Sequence, residues 1–302
     1  MATLTERRPQ NIEGDFYVDR TCIDCDTCRW VAPEVFHRAG EKSAVHHQPA
    51  NEAERLKAMQ ALLSCPTASI GTAEKPKDVK TAQQSFPIPV TENVYYCGYH
   101  SEASFGAASY LIVRPEGNVL VDSPRFAPPL VKRLEELGGV RYMYLTHRDD
   151  VADHRKFRDR FGCDRLLHTD DITADTQDVE IPLSGNEPIE FAPDLRIIPV
   201  PGHTKGHTVL LYGDRVLFTG DHLAWSARLN HLVGFDRFCW YSWPEQVRSM
   251  HKLSEYSFEW ILPGHGRRYY ADRATMQQQM QQCLDWMETV ERNPARSSSR
   301  SL

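Results

Sequence analysis

Short apolar runs broken by glycine, proline and charged residues dominate the middle of the chain. Val94 to Tyr99, Ser109 to Val113, Val119 to Val121, Tyr142 to Leu145, Leu195 to Val200, Thr208 to Leu211 and Val216 to Phe218 are β-like in composition and length, and predict strands. Apolar residues at helical spacing predict helices over Pro128 to Leu137, Ala152 to Arg160, Pro244 to Tyr256 and Arg273 to Arg292. In the last of these Met276, Met280, Leu284 and Met287 line one face, a stripe that reads as core packing. Nearer the start, Ala53, Leu56, Met59, Leu62 and Leu63 give the same spacing over Asn51 to Leu63.

The pattern lapses between Gly71 and Pro89, where Lys, Gln, Thr and Pro replace apolar residues, as a linker would. This divides the chain into a first domain at 1–75, a linker at 76–89, a second domain at 90–292 and a Ser- and Arg-rich tail at 293–302 that is expected to be disordered. A length of 302 residues fits two domains at roughly 150 residues each. With 41% hydrophobic and 25% charged residues the composition is that of a globular protein. No apolar run approaches the ~20 residues of a membrane helix. The net charge is 35 − 41 = −6 with basic residues scattered among acids, which argues against nucleic acid as a partner. Arg7-Arg8 is followed by Pro9-Gln10-Asn11 and not by an apolar stretch, so a cytoplasmic location is expected.

Half of the eight cysteines are patterned: Cys22, Cys25 and Cys28 are three apart, and Cys65 precedes Pro66. Three thiolates at that spacing wrap one corner of an iron–sulfur cubane, and a remote Cys-Pro supplies the last ligand. A structural zinc site is the alternative, although zinc ribbons usually pair two separate C-x-x-C knuckles. From Tyr17 to Ile70 the stretch resembles a single-cluster bacterial ferredoxin. The resemblance implies a small α+β domain with a low-potential 4Fe-4S cluster held by Cys22, Cys25, Cys28 and Cys65. The remaining cysteines, Cys97, Cys163, Cys239 and Cys283, stand singly and read as small buried hydrophobes. Unpaired thiols and an oxygen-sensitive cluster suit a reducing compartment.

A second set of residues follows predicted strands or apolar runs, where loops gather to form sites. These are Thr146-His147-Arg148-Asp149-Asp150 with Asp153-His154, then Pro201-Gly202-His203-Thr204-Lys205-Gly206-His207, Thr219-Gly220-Asp221 and Pro263-Gly264-His265-Gly266. Imidazoles and carboxylates are the ligands of zinc, iron or manganese in sites that keep a position open for water.

This combination resembles the metallo-β-lactamase superfamily from about Val90 to Tyr270. The resemblance implies an α/β fold, an αββα sandwich here preceded by the small ferredoxin-like domain, with one or two divalent metals, Zn or Fe. It assigns His147, Asp153-His154, His203, Asp221 and His265 as metal ligands, Asp153 also orienting the attacking hydroxide, and Val119-Leu120-Val121-Asp122 as a supporting strand. The first motif departs from the family's H-x-H-x-D-H: Asp153 lies two residues further from His147, and Asp149, or alternatively Asp150, stands where the second histidine would be. An aspartate there is equally suited to capping the following helix. His207 and His222 are expected beside the ligands, not among them. Arg228, Arg237, Trp225, Trp240, Tyr241 and Trp243 fall between two motifs and are candidates for a substrate pocket, while His37, His46, His47, His100, His168, His231 and His251 read as surface or packing residues.

Metal-bound hydroxide at neutral pH makes the first functional expectation a hydrolase of an ester, thioester or lactone acting on a small molecule. The second is an iron oxidoreductase in which the ferredoxin domain feeds electrons to the other site, since a carboxylate in place of an imidazole suits iron and flavodiiron proteins share that feature. A redox partner protein would then be needed. The third is a non-catalytic redox sensor with a degenerate site.

Overall fold

The segment around the patterned cysteines folds by pairing its two ends. In the computed structural model, which describes residues 2–290, β1 (Phe16–Val18) lies antiparallel to β4 (Ile70–Thr72), Phe16 opposite Thr72. Between them run α1 (Thr27–Val31), the hairpin β2 (Phe36–Ala39) and β3 (Lys42–Val45), and α2 (Glu52–Ser64). Helix α2 starts at Asn51, whose side chain accepts Glu54 N–H while the Glu54 carboxylate accepts Ala50 N–H, a reciprocal cap. Its buried face, Ala58, Met59 and Ala61, packs with Phe16, Val18, Ile70 and the cysteines in one core.

The expected linker is not extended. Val79–Gln84 form α3, whose Ala82 joins that same core, and β5 (Ile88–Thr91) begins before the linker was expected to end. One buried alanine and a single turn of helix leave too little periodicity to be read from sequence.

The chain divides into two compact units, one of residues 2–141 with 152–163, the other of 142–151 with 164–290. The first therefore continues past the cysteine-bearing segment. It adds the antiparallel meander of β5, β6 (Val94–Tyr96), β7 (Tyr110–Ile112) and β8 (Val119–Val121), followed by α4 (Pro128–Glu136) and α5 (His154–Phe161). Pro128 opens α4 and Gly162 closes α5 in the left-handed conformation, the usual asymmetry of helix ends. Asn118 pins the turn before β8: its Oδ1 accepts Arg114 N–H, and its Nδ2 donates to Leu137 O and Gly139 O at 2.9 and 2.8 Å.

In the second unit β9 (Tyr142–Tyr144), β10 (Asp164–His168) and β11 (Ile181–Leu183) are parallel neighbours. A meander of β12 (Ile189–Ala192), β13 (Leu195–Pro199), β14 (Thr208–Tyr212) and β15 (Val216–Gly220) follows, then the hairpin β16 (Ala224–Ser226) and β17 (His231–Val233). Strand β18 (Trp260–Pro263) pairs parallel with β15, and β19 (Tyr269–Tyr270) closes that edge. Helices α6 (Trp243–Ser254) and α7 (Arg273–Thr289) cover the sheet: Met250 and Leu253 with Met276, Met280, Leu284 and Met287 meet Ile198, Val209, Leu211 and Leu217. The methionine stripe is thus core.

Strand β10 was hidden in sequence by Arg165. That residue is fully buried, with Nε and Nη2 both 2.9 Å from the Glu180 carboxylate, so a charge occupies a strand interior by carrying its counter-ion with it. The expected tail at 293–302 lies outside the described residues. Among the described residues no helix is long and apolar enough to cross a membrane.

Replacing Asn118 by Ala removes three hydrogen bonds at once, one to a buried backbone N–H and two to half-buried carbonyls. The expected cost is on the order of 3 kcal/mol, seen as a lower urea midpoint for the first unit at unchanged slope.

Candidate metal centres

In the first unit Cys22, Cys25, Cys28 and Cys65 all line one cavity. The loop carrying the first three turns through Asp24 and Asp26, both left-handed at φ 62° and 65°. Aspartate tolerates that conformation better than most residues. Both carboxylates are gripped by the buried Arg29, which also donates to Ser43 Oγ at 2.9 Å. The fourth cysteine ends α2, and its sulfur accepts Ser69 N–H at 3.2 Å.

Burial pushes the Cys25 thiol up to about 12 and raises Cys28 and Cys65 as well, because a thiolate there has lost its water. Thiols so raised around one cavity shed their protons most readily to a cationic occupant. An iron–sulfur cluster is such an occupant, and the donor set fits it.

The second unit gathers its candidates at strand ends. His147 follows β9, His203 and His207 lie on the β13–β14 loop, Asp221 follows β15 and His265 follows β18. His203 Nε2 lies 3.4 Å from Asp149 Oδ2 and 3.7 Å from Asp221 Oδ2, and His147 Nε2 lies 3.8 and 3.9 Å from the same two carboxylates. His265 Nδ1 is 2.8 Å from Asp221 Oδ1. Two sets of donor atoms fall within 4.8 Å of one another: His147, Asp149 and His203, and His147, Asp150 and Asp221.

Electrostatics favour metal-ready protonation states. Burial, reinforced by His203, pushes His147 down to about 4, so its ring is neutral at physiological pH. Burial would raise Asp221, but His265, His203 and His147 hold it well below the usual carboxylate range. Asp149 is likewise driven up by burial and brought back below its ordinary value by His203 and His147. Among the described residues His147 Nε2 and both His203 nitrogens are buried with no hydrogen-bond partner. Leaving such atoms unsatisfied costs roughly 1–3 kcal/mol each. Their convergence on ionised carboxylates fits a divalent cation.

The loops holding these donors are braced by a residue without a motif. Asp171, fully buried, accepts from Thr204 Oγ1 at 2.5 Å, Gly206 N–H at 2.8 Å and Arg148 N–H at 3.1 Å, which fastens the His203 loop to the His147 loop. A Cβ on Gly206 would lie 2.7 Å from Asp171 N, so glycine is required there. His207 Nε2 accepts Asp221 N–H at 3.1 Å while its ring stacks on His147 at 4.9 Å, the supporting position expected for it. His222 is buried beside Asp221 and lowered by burial to about 3.

Other expectations shift. Asp153 and His154 fall in the first unit. The Asp153 carboxylate accepts Phe126 N–H at 2.7 Å and pairs with Lys156 at 2.7 Å, so it has a structural use that conflicts with the expected role of orienting a nucleophile. His154 is buried at the first position of α5, where Asp153 is the N-cap residue without a side-chain capping bond. Asp149 is therefore not the helix cap, and Asp150, fully buried, joins His147 and Asp221. Of the aromatic candidates, Trp243 is core, Trp225 stacks on Tyr269 at 4.2 Å, and Trp240 and Tyr241 approach the site, the Trp240 ring 6.1 Å from that of His203 and 57% exposed. His100 is neither surface nor simple packing: it hydrogen-bonds Thr27 and Tyr96.

Asp171→Ala is expected to weaken zinc binding by the second unit about 10- to 100-fold. A competition titration against a chromogenic chelator measures this, and Lys205→Ala, on an exposed part of the same loop, serves as the control that leaves affinity unchanged.

Residues 18–72 match the family model described as the 4Fe-4S single cluster domain of Ferredoxin I. A hydroxyacylglutathione hydrolase of Synechococcus sp. (strain JA-2-3B'a(2-13)) is 29% identical over 120 residues, 38% of this chain and 48% of its own length. The chain thus spans about half the length of that curated relative. The crystal structure of a metallo-β-lactamase from Hirschia baltica superposes with a TM-score of 0.51 at 15% identity, covering 66% of this chain and 95% of its own. One from Pontibacter korlensis does so with 0.50 at 16%, covering 67% and 98%. The chain therefore joins a 4Fe-4S single-cluster ferredoxin domain to the metallo-β-lactamase fold.

Proposed function

We propose that the protein is a metal-dependent hydrolase of a small acyl substrate, of the thioester, ester or lactone type, and that its 4Fe-4S domain serves electron transfer or regulation. The observation that carries this reading is the meeting of the buried His147, His203, Asp150 and Asp221 with the more exposed Asp149 and His265 at the strand ends of the second unit. The relative's name adds a direction: hydroxyacylglutathione is an acyl thioester, so an acyl–sulfur bond is the first substrate class to try.

His147, Asp149, His203, Asp221 and His265 would hold one or two divalent metals, with Asp150 in support; His154, assigned by family resemblance, remains a proposed ligand. When bound, such metals lower the pKa of water toward about 7 and polarise the bond under attack. The chain's own groups do the rest. Asp221, kept ionised chiefly by His265, supplies negative charge at the centre of the site. Asp149 is the most exposed of the carboxylates, 43% at its side chain, and as a ligand would face the open side from which a nucleophilic water enters. Trp240 and Tyr241, whose backbone N–H groups both donate to His203 O, stand exposed beside the site and would flank an entering substrate.

A second reading is favoured by one feature, the carboxylate of Asp149 beside two imidazoles. A donor set of His147, Asp149 and His203 is harder than an all-imidazole one and suits iron, which would make the second unit a redox centre served by the ferredoxin domain and an external redox protein.

Anaerobically purified protein is expected to hydrolyse acyl thioesters, with His203→Ala reducing kcat/KM by roughly a thousandfold or more. Metal analysis with electron paramagnetic resonance separates the readings. Zinc in the second unit and one reducible centre support the hydrolase, whereas iron there and a second centre answering to dithionite support the oxidoreductase.

A further inference from the structure

The ferredoxin match ends at residue 72, and the residues lining the cluster cavity all lie within it, yet residues further along the same unit stand against Thr27 and Cys25 of that lining. Thr27 Oγ1 lies 3.4 Å from Cys25 Sγ and 3.0 Å from His100 Nδ1, and His100 Nε2 lies 2.6 Å from Tyr96 Oη. Thr27, His100 and Tyr96 are 2%, 1% and 1% exposed. Trp30 of α1 packs edge-on against Tyr96 at 5.0 Å between centroids. Gly106, left-handed at φ +89°, presses on the same cysteine: a Cβ there would lie 2.9 Å from Cys25 Cβ and 3.1 Å from Pro66 Cγ.

The hydrogens along this line follow from the chemistry of its end. A cysteine that ligates a cluster is a thiolate and only accepts, so the Thr27 hydroxyl donates to Cys25 Sγ. Its oxygen then accepts from His100 Nδ1–H, which leaves Nε2 of the neutral ring to accept from Tyr96 O–H. Each donor in such a row is strengthened by the bond it accepts.

We propose that Tyr96, His100 and Thr27 form a directed hydrogen-bond chain that ends on the Cys25 sulfur and sets the reduction potential of the cluster. The 96–106 segment thereby becomes part of the cluster site. Reduction adds one electron from an external low-potential donor, makes and breaks no bond, and leaves extra negative charge on the cluster and its sulfurs. A hydroxyl donating to a ligand sulfur stabilises that charge and raises the potential. Thr27 acts on the sulfur directly, while His100 and Tyr96 are positioning residues that orient and polarise it.

The inference rests on the 4Fe-4S reading, so the test begins with iron and sulfide content of the anaerobic full-length protein. Dithionite titration followed by electron paramagnetic resonance then gives the potential. At equal cluster content Thr27→Val is expected to lower the equilibrium constant for reduction about tenfold, equivalent to about 59 mV for one electron. Thr27→Ser should restore the wild-type value, and His100→Phe and Tyr96→Phe should shift it in the same direction by less. If Thr27→Val does not load a cluster, the two positioning variants, which do not touch the sulfur, decide the matter. Potentials equal to wild type in the loaded variants overturn the proposal, as does a Thr27→Ser shift as large as that of Thr27→Val. A wild-type protein without iron and sulfide overturns the 4Fe-4S reading and the proposal with it.

Discussion

A lone pair buried without a proton or cation to receive it is unfavourable, and both candidate centres are built from such lone pairs. In the first unit the groups are sulfurs whose thiolate form burial opposes. In the second they include the ring nitrogens of His147 and His203, His147 being kept neutral by burial and by the neighbouring His203. Much of the surrounding architecture holds these groups together against that penalty. Arg29 fixes the cysteine loop by clamping two left-handed aspartates, and Asp171 fixes two histidine loops by accepting three hydrogen bonds. The two devices use opposite charges for one purpose, to fix backbone that would otherwise relax away from its ligands.

What could be read from the sequence divides along the same line. Ligand residues carry their chemistry in their identity and spacing, so the C-x-x-C-x-x-C run with its remote Cys-Pro, and the His203, Asp221 and His265 motifs, stood out before any fold was known. Residues that position ligands carry no such mark. Asp171 falls in the run His168-Thr169-Asp170-Asp171, which reads as an ordinary turn; only the fold brings it under Gly206. Arg165 interrupts the apolar run of a strand, and its counter-ion, Glu180, lies 15 residues away with no periodicity to announce it. Asp149 and Asp150 were both visible, but neighbours in sequence point to different partners, and only coordinates separate the one near His203 from the one near Asp221. For Asp153 the family motif and the local contacts disagree. The carboxylate has taken a backbone N–H and a lysine, and a motif stretched by two residues is where such a reassignment is easiest.

The division of the chain also differs from the division of its motifs. The family match covers residues 18–72, whereas the compact unit that contains it runs on through the β5–β8 meander to residue 141. The expected linker is folded into that unit by α3, and Arg125 donates to Leu63 O near the end of α2. Tyr96, His100 and Gly106, which lie beyond the family match, stand against Thr27 and Cys25 of the cavity lining. Such support has a physical consequence: any strain that moves the β6–β7 loop changes the hydrogen bond on Cys25, and any change of charge on the cluster is felt along the row to Tyr96. Fusion of the two parts has therefore gone beyond tethering, because the cluster's surroundings now include residues whose backbone belongs to the meander.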